Sequence, residues 1–406
     1  MLPLVAALAL AQQDLVNIST TDLLNPAHGP SRSEIWFRPE VRLDPPKQSP
    51  KEFGVGDLRQ RWEFDFGMLG YALLPDKNGV ARLARFYVYE QERKDKNDIA
   101  FSVTRMLLRL WEHLYYDLRL DHSVKYDRKC VDVYLCWGGP PGGQQLSDID
   151  RQNRPPLGEE IADKGEQAYA KDPQLKTSLP VNTIYIYDIP TFTDPVEMAR
   201  EVAHEYGHAT MPPVGGFKTP EEWGNGYFGE KLFLIYMRDQ LLAGKLKPED
   251  AMGATGPQLD AWVKHNVDPL VAAASVGPPD MASLGSIGQH GMNAYMGLLL
   301  YCYEILPQPV FTYLMSIMTP PVDRGGTYAP ADIPPLIQLA IDHAREIPLR
   351  VPPGLAGKPI WVPVSGAKVV GASVLQKKDG WAQIKPTGGE LKLVNPSPDD
   401  RPPPSR

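Results

Sequence analysis

Residues 200–208 read REVAHEYGH. His204 and His208 stand four apart with Glu205 beside the first, the pattern H-E-x-x-H. On an α-helix, positions i and i+4 share one face, so two imidazoles converge on a single cation. Glu205 is turned about 100° from His204 and can reach a water on that cation rather than the cation itself. The flanking residues mark a helix. Asp194-Pro195-Val196-Glu197 supplies an N-cap aspartate, a proline at the first helical position and a glutamate at the third. Met198, Ala199, Val202, Ala203 and Tyr206 form the opposite, core-facing side. A merely solvated polar face (Glu197, Glu201, His204, His208) would need no metal. A chance H-E-x-x-H in a chain of this size, however, arises roughly once in a hundred.

Working outward, the residues before the motif alternate between strand and helix patterns. Residues 12–60 read as loop-rich. Trp62–Phe66 and Ala81–Gln91 alternate like strands around the turn Asp76-Lys77-Asn78-Gly79. Phe101–Leu120 carries helical periodicity through Val103, Met106, Leu107, Leu110 and Leu114. Cys130–Trp137 is a strand that ends in GGPPGG, residues 145–180 are a polar excursion, and Thr183–Ile189 is a short β-branched and aromatic strand. Beyond the motif, residues 226–350 read as helical with Pro-rich joints, including a buried helix around the apolar run Tyr295–Leu306. After the linker Val351-Pro352-Pro353, residues 353–395 are strand-like with glycine turns and predict a small β appendage. Residues 396–406 predict a disordered tail. The expected class is α+β: an N-terminal α/β part over 12–225, a helical subdomain over 226–350 and an all-β appendage.

The order helix, strand, strand, H-E-x-x-H helix resembles the zincin metallopeptidases over residues 100–245. The resemblance implies one Zn2+ per chain, and the third ligand separates the clans. A metzincin would continue H-x-x-G-x-x-H, but Ala209-Thr210-Met211-Pro212-Pro213-Val214 follows His208. A gluzincin takes a glutamate from a second helix downstream, where Glu221, Glu222 and Glu230 stand. Thr219-Pro220-Glu221-Glu222 reads as a capping box, which explains Glu222 without a metal. Glu230 sits in GEKLFLIYMRDQLL with Phe233, Leu234, Met237 and Leu241 around it. An unpaired carboxylate there would cost several kcal/mol, and a bound cation removes that cost. The favoured ligand set is therefore His204, His208 and Glu230, with Glu222 as the substitute. The stretch Trp223–Glu230 is similar to the W-x-N-E-G-F segment of aminopeptidase-type gluzincins, with Gly226 where their glutamate stands. Leu234 occupies the place of the aspartate that follows the ligand in thermolysin-like enzymes. The resemblance also implies an oxyanion donor from the C-terminal subdomain. His290 is the candidate, on a polar stripe with Asn293, Gly297, Tyr301 and Glu304; a core histidine satisfied by a neighbour is the alternative.

Composition narrows the function. The 406 residues suggest two or three domains, and 43% hydrophobic residues suffice for a packed core. A net charge of −7 argues against nucleic acid, which requires a basic face. Three cysteines, Cys130, Cys136 and Cys302, exclude a disulfide framework and a cysteine-based zinc finger. MLPLVAALALA at residues 1–11 ends in Ala9-Leu10-Ala11 and reads as a signal peptide, too short to span a bilayer. The expected protein is a secreted, periplasmic or cell-surface zinc metallopeptidase acting on peptides or proteins. Glu205 would activate a zinc-bound water, and the substrate backbone would add to Thr183–Tyr187 as an edge strand. The rival expectation is a non-catalytic exported binding or adhesion protein on the same scaffold.

Overall fold

The computed structural model describes residues 36–43, 64–76, 79–91, 99–118, 120, 130–146, 182–318 and 328–396. The expected signal peptide over 1–11, nearly all of the polar run 145–180 and the tail from 397 onward lie outside the described residues. The chain is a mixed α+β protein. Its N-terminal part is a six-stranded sheet of β1 (Trp36–Leu43), β2 (Phe66–Asp76), β3 (Gly79–Glu90), β4 (Cys130–Leu135), β5 (Gly142–Leu146) and β6 (Asn182–Tyr187), in the order β1-β2-β3-β4-β6-β5. β1 falls inside the stretch expected to be loop. The β2–β3 hairpin turns where Asp76 pairs with Gly79, as the turn residues predict, but its first strand is Phe66–Asp76 and shares only Phe66 with the expected Trp62–Phe66.

β3, β4 and β6 run parallel, and β5 pairs antiparallel with β6. β6 is therefore interior. The edge beside the motif belongs to β5, which corrects the expectation that Thr183–Tyr187 is an edge strand. α1 (Ile99–His113) buries Val103, Met106, Leu107 and Leu110, and the π-helical turn that continues it to Leu118 buries Leu114, the periodic residues of the sequence; Trp111 is buried with them.

α2 (Pro195–Thr210) is the H-E-x-x-H helix. Asp194 caps it by accepting from the Val196 N–H at 2.9 Å, and Pro195 opens it. Its apolar side meets the sheet, with Tyr206 edge-on to Phe86 at 5.8 Å. α3 (Asn225–Leu242) crosses it with backbones in contact. A Cβ on Gly207 would stand 2.9 Å from the Gly226 carbonyl oxygen and 3.0 Å from the Gly229 Cα, so only glycines permit this crossing.

The helical part continues through α4 (Gly256–Asn266), α5 (Asp268–Ser275), α6 (Met281–Leu284), α7 (Gln289–Ile305), α8 (Gln308–Ile317) and α9 (Ile333–Asp342). α7 is the buried helix anticipated around Tyr295–Leu306. No helix among the described residues is long and apolar enough to cross a membrane.

The C-terminal strands form two three-stranded sheets, β10-β11-β8 and β7-β12-β9. Here β7 is Glu346–Pro348, β8 Ile360–Pro363, β9 Lys368–Val370, β10 Ala372–Lys378, β11 Trp381–Pro386 and β12 Lys392–Val394. They do not stand apart as an appendage behind a linker. β7 precedes the expected linker and pairs with β12. The buried Tyr301 hydroxyl of α7 donates to the Trp361 carbonyl at 2.7 Å, and Asn395 donates to the Ile341 and Ala344 carbonyls at 2.6 Å each. Ile360, Trp381 and Leu393 belong to one core with Ile305, Ile337 and Ile341. Shared apolar burial of this kind joins the two parts far more firmly than a Pro-rich linker suggests.

Candidate metal centre

α2 carries Arg200, His204 and His208 along one stripe, four residues apart. The Nε2 atoms of His204 and His208 lie 3.1 Å apart. The Glu221 carboxylate closes the group, with Oε2 3.3 Å from His204 Nε2 and Oε1 3.4 Å from His208 Nε2. These donors satisfy the spacing of a metal-holding group. A tetrahedral zinc with bonds of about 2.0–2.1 Å separates its ligand atoms by about 3.3 Å. Two imidazoles and one carboxylate at 3.1–3.4 Å therefore fit zinc in both chemistry and spacing.

Glu221 is one of the three glutamates that the sequence offers downstream, and it, not the favoured Glu230, meets the imidazoles; the capping box that Thr219–Glu222 resembles opens no helix. Helix α3 starts at Asn225, and residues 211–224 form an extended excursion. Gly215 bridges to Trp223, and the Gly224 N–H donates to the Val214 carbonyl at 2.8 Å. That returning loop carries Glu221 back over the histidines, while Glu222 is exposed.

Glu230 is placed differently from the ligand expected of it. Its side chain is 2% exposed and faces the other nitrogen of His204, with Oε2 3.4 Å from Nδ1. Arg200 donates from Nε to Glu230 Oε1 at 2.8 Å and from Nη1 to Glu197 at 2.6 Å. The burial cost anticipated for Glu230 is real, and the cation that offsets it is Arg200. Asn225 does the equivalent for His208: its Oδ1 lies 3.0 Å from Nδ1, and its amide donates to the His208 carbonyl at 3.1 Å. Both imidazoles are thus held through Nδ1 with Nε2 turned toward Glu221, an arrangement that fixes ligand orientation. The Asn225–Gly226 backbone must also lie against His208, since a Cβ on Gly226 would stand 2.6 Å from its Cδ2 and Cε1.

The electrostatics favour a cation. Burial opposes charge on His204, but hydrogen bonds to Glu221 and Glu230 and the nearby Glu205 outweigh it and lift its pKa to about 10. Burial pushes the Glu221 and Glu230 carboxyls up. Their imidazole contacts, with Lys231 and Arg200 acting on Glu230, prevail and bring both to about 2. Glu205 is 3% exposed; burial raises its pKa to about 7 against the lowering pull of His208 and His204. Its Oε2 is buried with no hydrogen-bond partner among the described residues.

Glu205 lies against the edge strand. A Cβ on Gly143 of β5 would stand 2.7 Å from Glu205 Cδ and 2.7 Å from Glu201 Oε1, so the strand approaches the carboxylate only as glycine. In front of this strand is an open cavity of about 310 Å³ lined by Pro140, Pro141, Gly142, Gly143, Gln144 and Tyr187. The GGPPGG stretch, read from sequence only as a break in regular structure, thus forms the wall beside the candidate base.

His290 is not gathered into this group. It is exposed at the start of α7, with Nε2 2.8 Å from the Ser283 hydroxyl. Of the rest of its stripe, Asn293 accepts from Gln289 of the same helix at 2.9 Å, Gly297 meets the Leu270 backbone on α5, and Tyr301 bonds to β8. Gly297 and Tyr301 meet backbone of neighbouring elements, and His290 meets a serine hydroxyl. Comparison with family models, with curated proteins and with solved structures finds no match to this chain. The case for the site therefore stands on its geometry.

Proposed function

We propose that the chain is a secreted zinc-dependent metallopeptidase with a zincin-like catalytic core, its zinc held by His204, His208 and Glu221. One observation carries the reading. Two Nε2 atoms and a carboxylate converge at ligand spacing, and the buried Oε2 of Glu205 stands unpartnered between them and an open sheet edge. Zinc in that position supplies Lewis acidity toward a water and the scissile carbonyl.

The protein's own residues do the rest. Glu205 takes the proton of the attacking water and returns it to the leaving amine. Its buried Oε2, with no hydrogen-bond partner among the described residues, is open to a proton from that water. Glu230 and Asn225 hold the imidazoles in the tautomer that leaves Nε2 free. The outer side of β5 pairs with an extended substrate as an added strand, and the cavity over Gly142 and Gly143 accepts its side chains.

The test is metal analysis of the purified protein together with cleavage of a peptide library by wild type and Glu205→Gln. The expected result is one zinc per chain in both proteins and hydrolysis only by wild type. Protein without stoichiometric zinc, or an active Glu205→Gln variant, would refute the mechanism. Zinc-loaded wild type that binds peptides without cleaving them would favour a non-catalytic binding role.

A further inference from the structure

On the wall of the candidate site opposite β5, α3 presents Tyr227 and Lys231 one turn apart. The Tyr227 ring stands edge-on to His204 at 4.6 Å between centroids. The Lys231 ammonium lies 5.3 Å from the centre of that ring and 5.9 Å from the centre of Trp262 on α4. Lys231 is only 7% exposed, so its stem is fixed between two aromatic side chains. Neither the Tyr227 hydroxyl nor the Lys231 ammonium makes a hydrogen bond or ion pair with the described residues.

The other cation of this wall is already engaged. Arg200 is shared between Glu230 and Glu197 and lies 5.5 Å from Trp262. Glu230 in turn is neutralised by Arg200 and His204. Lys231 feels the charge of Glu230, but its ammonium makes no hydrogen bond or ion pair with any described residue. Burial lowers its pKa below the usual lysine range, against the pull of Glu230 and Glu221. An ammonium and a hydroxyl that no protein acceptor engages are free to donate to a ligand, and a hydrogen bond to a charged group is among the stronger ones a site can offer.

We propose that Tyr227 and Lys231 form an anionic subsite that anchors a carboxylate of the substrate beside the metal centre. The hydroxyl and the ammonium both donate, and a carboxylate with two oxygens accepts from both. Their separation of one helical turn suits a single small anion. Their position against His204 puts that anion within a residue or two of the bond being cut. The substrate class this selects is peptides whose free C-terminal carboxylate, or whose acidic side chain, lies next to the scissile bond.

This inference rests on the metallopeptidase reading, and the experiment separates the two. The probe is one N-acetylated peptide series in three forms: free C-terminal acid, C-terminal amide, and amide with a glutamate next to the scissile bond. Binding is measured calorimetrically to zinc-loaded Glu205→Gln protein, and hydrolysis is followed with wild type. The expected preference for a carboxylate-bearing form over the neutral amide is about tenfold or more, as a charged hydrogen bond provides. Preference for the acid assigns the C-terminal carboxylate as the anchor, and preference for the glutamate amide assigns the side chain.

In Lys231→Met the preference should disappear through KM, with zinc content unchanged; Lys231→Arg should restore part of it, and Tyr227→Phe should weaken it. The comparison of peptide forms needs no variant of the subsite, so a poorly folding Lys231→Met does not blunt it. Hydrolysis or binding that treats all three forms alike overturns the anionic subsite while leaving the metallopeptidase standing. Absence of zinc and of all hydrolysis overturns both.

Discussion

Replacing Glu221 and Glu230 separately by alanine distinguishes a metal ligand from the residue that orients one. Glu221 reaches the Nε2 atoms of both histidines and is 29% exposed at the end of a loop. A four-ligand structural zinc contributes about 10–16 kcal/mol, so one ligand is worth about 3 kcal/mol, or roughly a hundredfold in Kd. In metal-free protein Glu221 also bonds to both imidazoles, but its 29% exposure screens those contacts. Glu221→Ala should therefore weaken zinc about a hundredfold and change metal-free stability by less than about 1 kcal/mol. Glu230 is 2% exposed and holds Arg200 at 2.8 Å and His204 at 3.4 Å. Its removal takes away a charge-assisted bond worth about 1.5–3 kcal/mol, reduced because Arg200 is 32% exposed and keeps Glu197. Glu230→Ala should lower metal-free stability by about 1–2 kcal/mol and weaken zinc by about 10–100-fold through a loosened imidazole. Competition titration against a chelator gives the affinities, and urea unfolding in chelator gives the stabilities. Wild-type zinc affinity in Glu221→Ala, together with complete loss in Glu230→Ala, would refute the assignment and make Glu230 the ligand.

Gly143→Ala should cut kcat by about a hundredfold with zinc retained, because the new Cβ forces Glu205 aside and displacements near 1 Å carry such costs; unchanged turnover would mean that Glu205 is not held by β5. Truncation after residue 344 should give insoluble or unfolded protein, since it bares Ile305, Ile337 and Ile341 and orphans the Tyr301 hydroxyl. A folded, zinc-loaded 1–344 fragment, seen by circular dichroism and metal analysis, would contradict the shared core. In metal-free protein, Glu230 with its folded pKa of about 2 contributes stability that is present above its ordinary 4.5 and lost as pH falls toward 2. The stability gap between wild type and Glu230→Gln should accordingly shrink as pH falls below about 4.5 and close toward pH 2, and a gap that widens with acid would reverse the argument.

The local signals in the chain were strong where one element carried them. The Asp194-Pro195 start, the H-E-x-x-H spacing and the apolar side through Tyr206 all lie within one helix, and each is realised in α2. The periodicity of α1, the strands at Cys130 and Thr183 and the buried helix around Tyr295–Leu306 were legible for the same reason. Glu230 shows the limit. A carboxylate in an apolar arc announces that a cation must meet it, but the arc does not say which cation, and Arg200 comes from another helix.

What the sequence by itself determined is therefore the chemistry available on each element: two imidazoles and a carboxylate on one helix, an α+β order around them, and a demand for charge compensation at Glu230. Tertiary structure alone decided the rest. It brought Glu221 to the imidazoles on a loop with no periodicity to betray it, made β5 rather than β6 the open edge, and turned His290 out to Ser283. It also tied the C-terminal strands into the helical core through Trp361 and Asn395. The physical reason is common to all four. Intrahelical spacing is fixed by 3.6 residues per turn and can be read along the chain. Contacts between elements depend on how loops close and sheets order their strands, and no local periodicity encodes either.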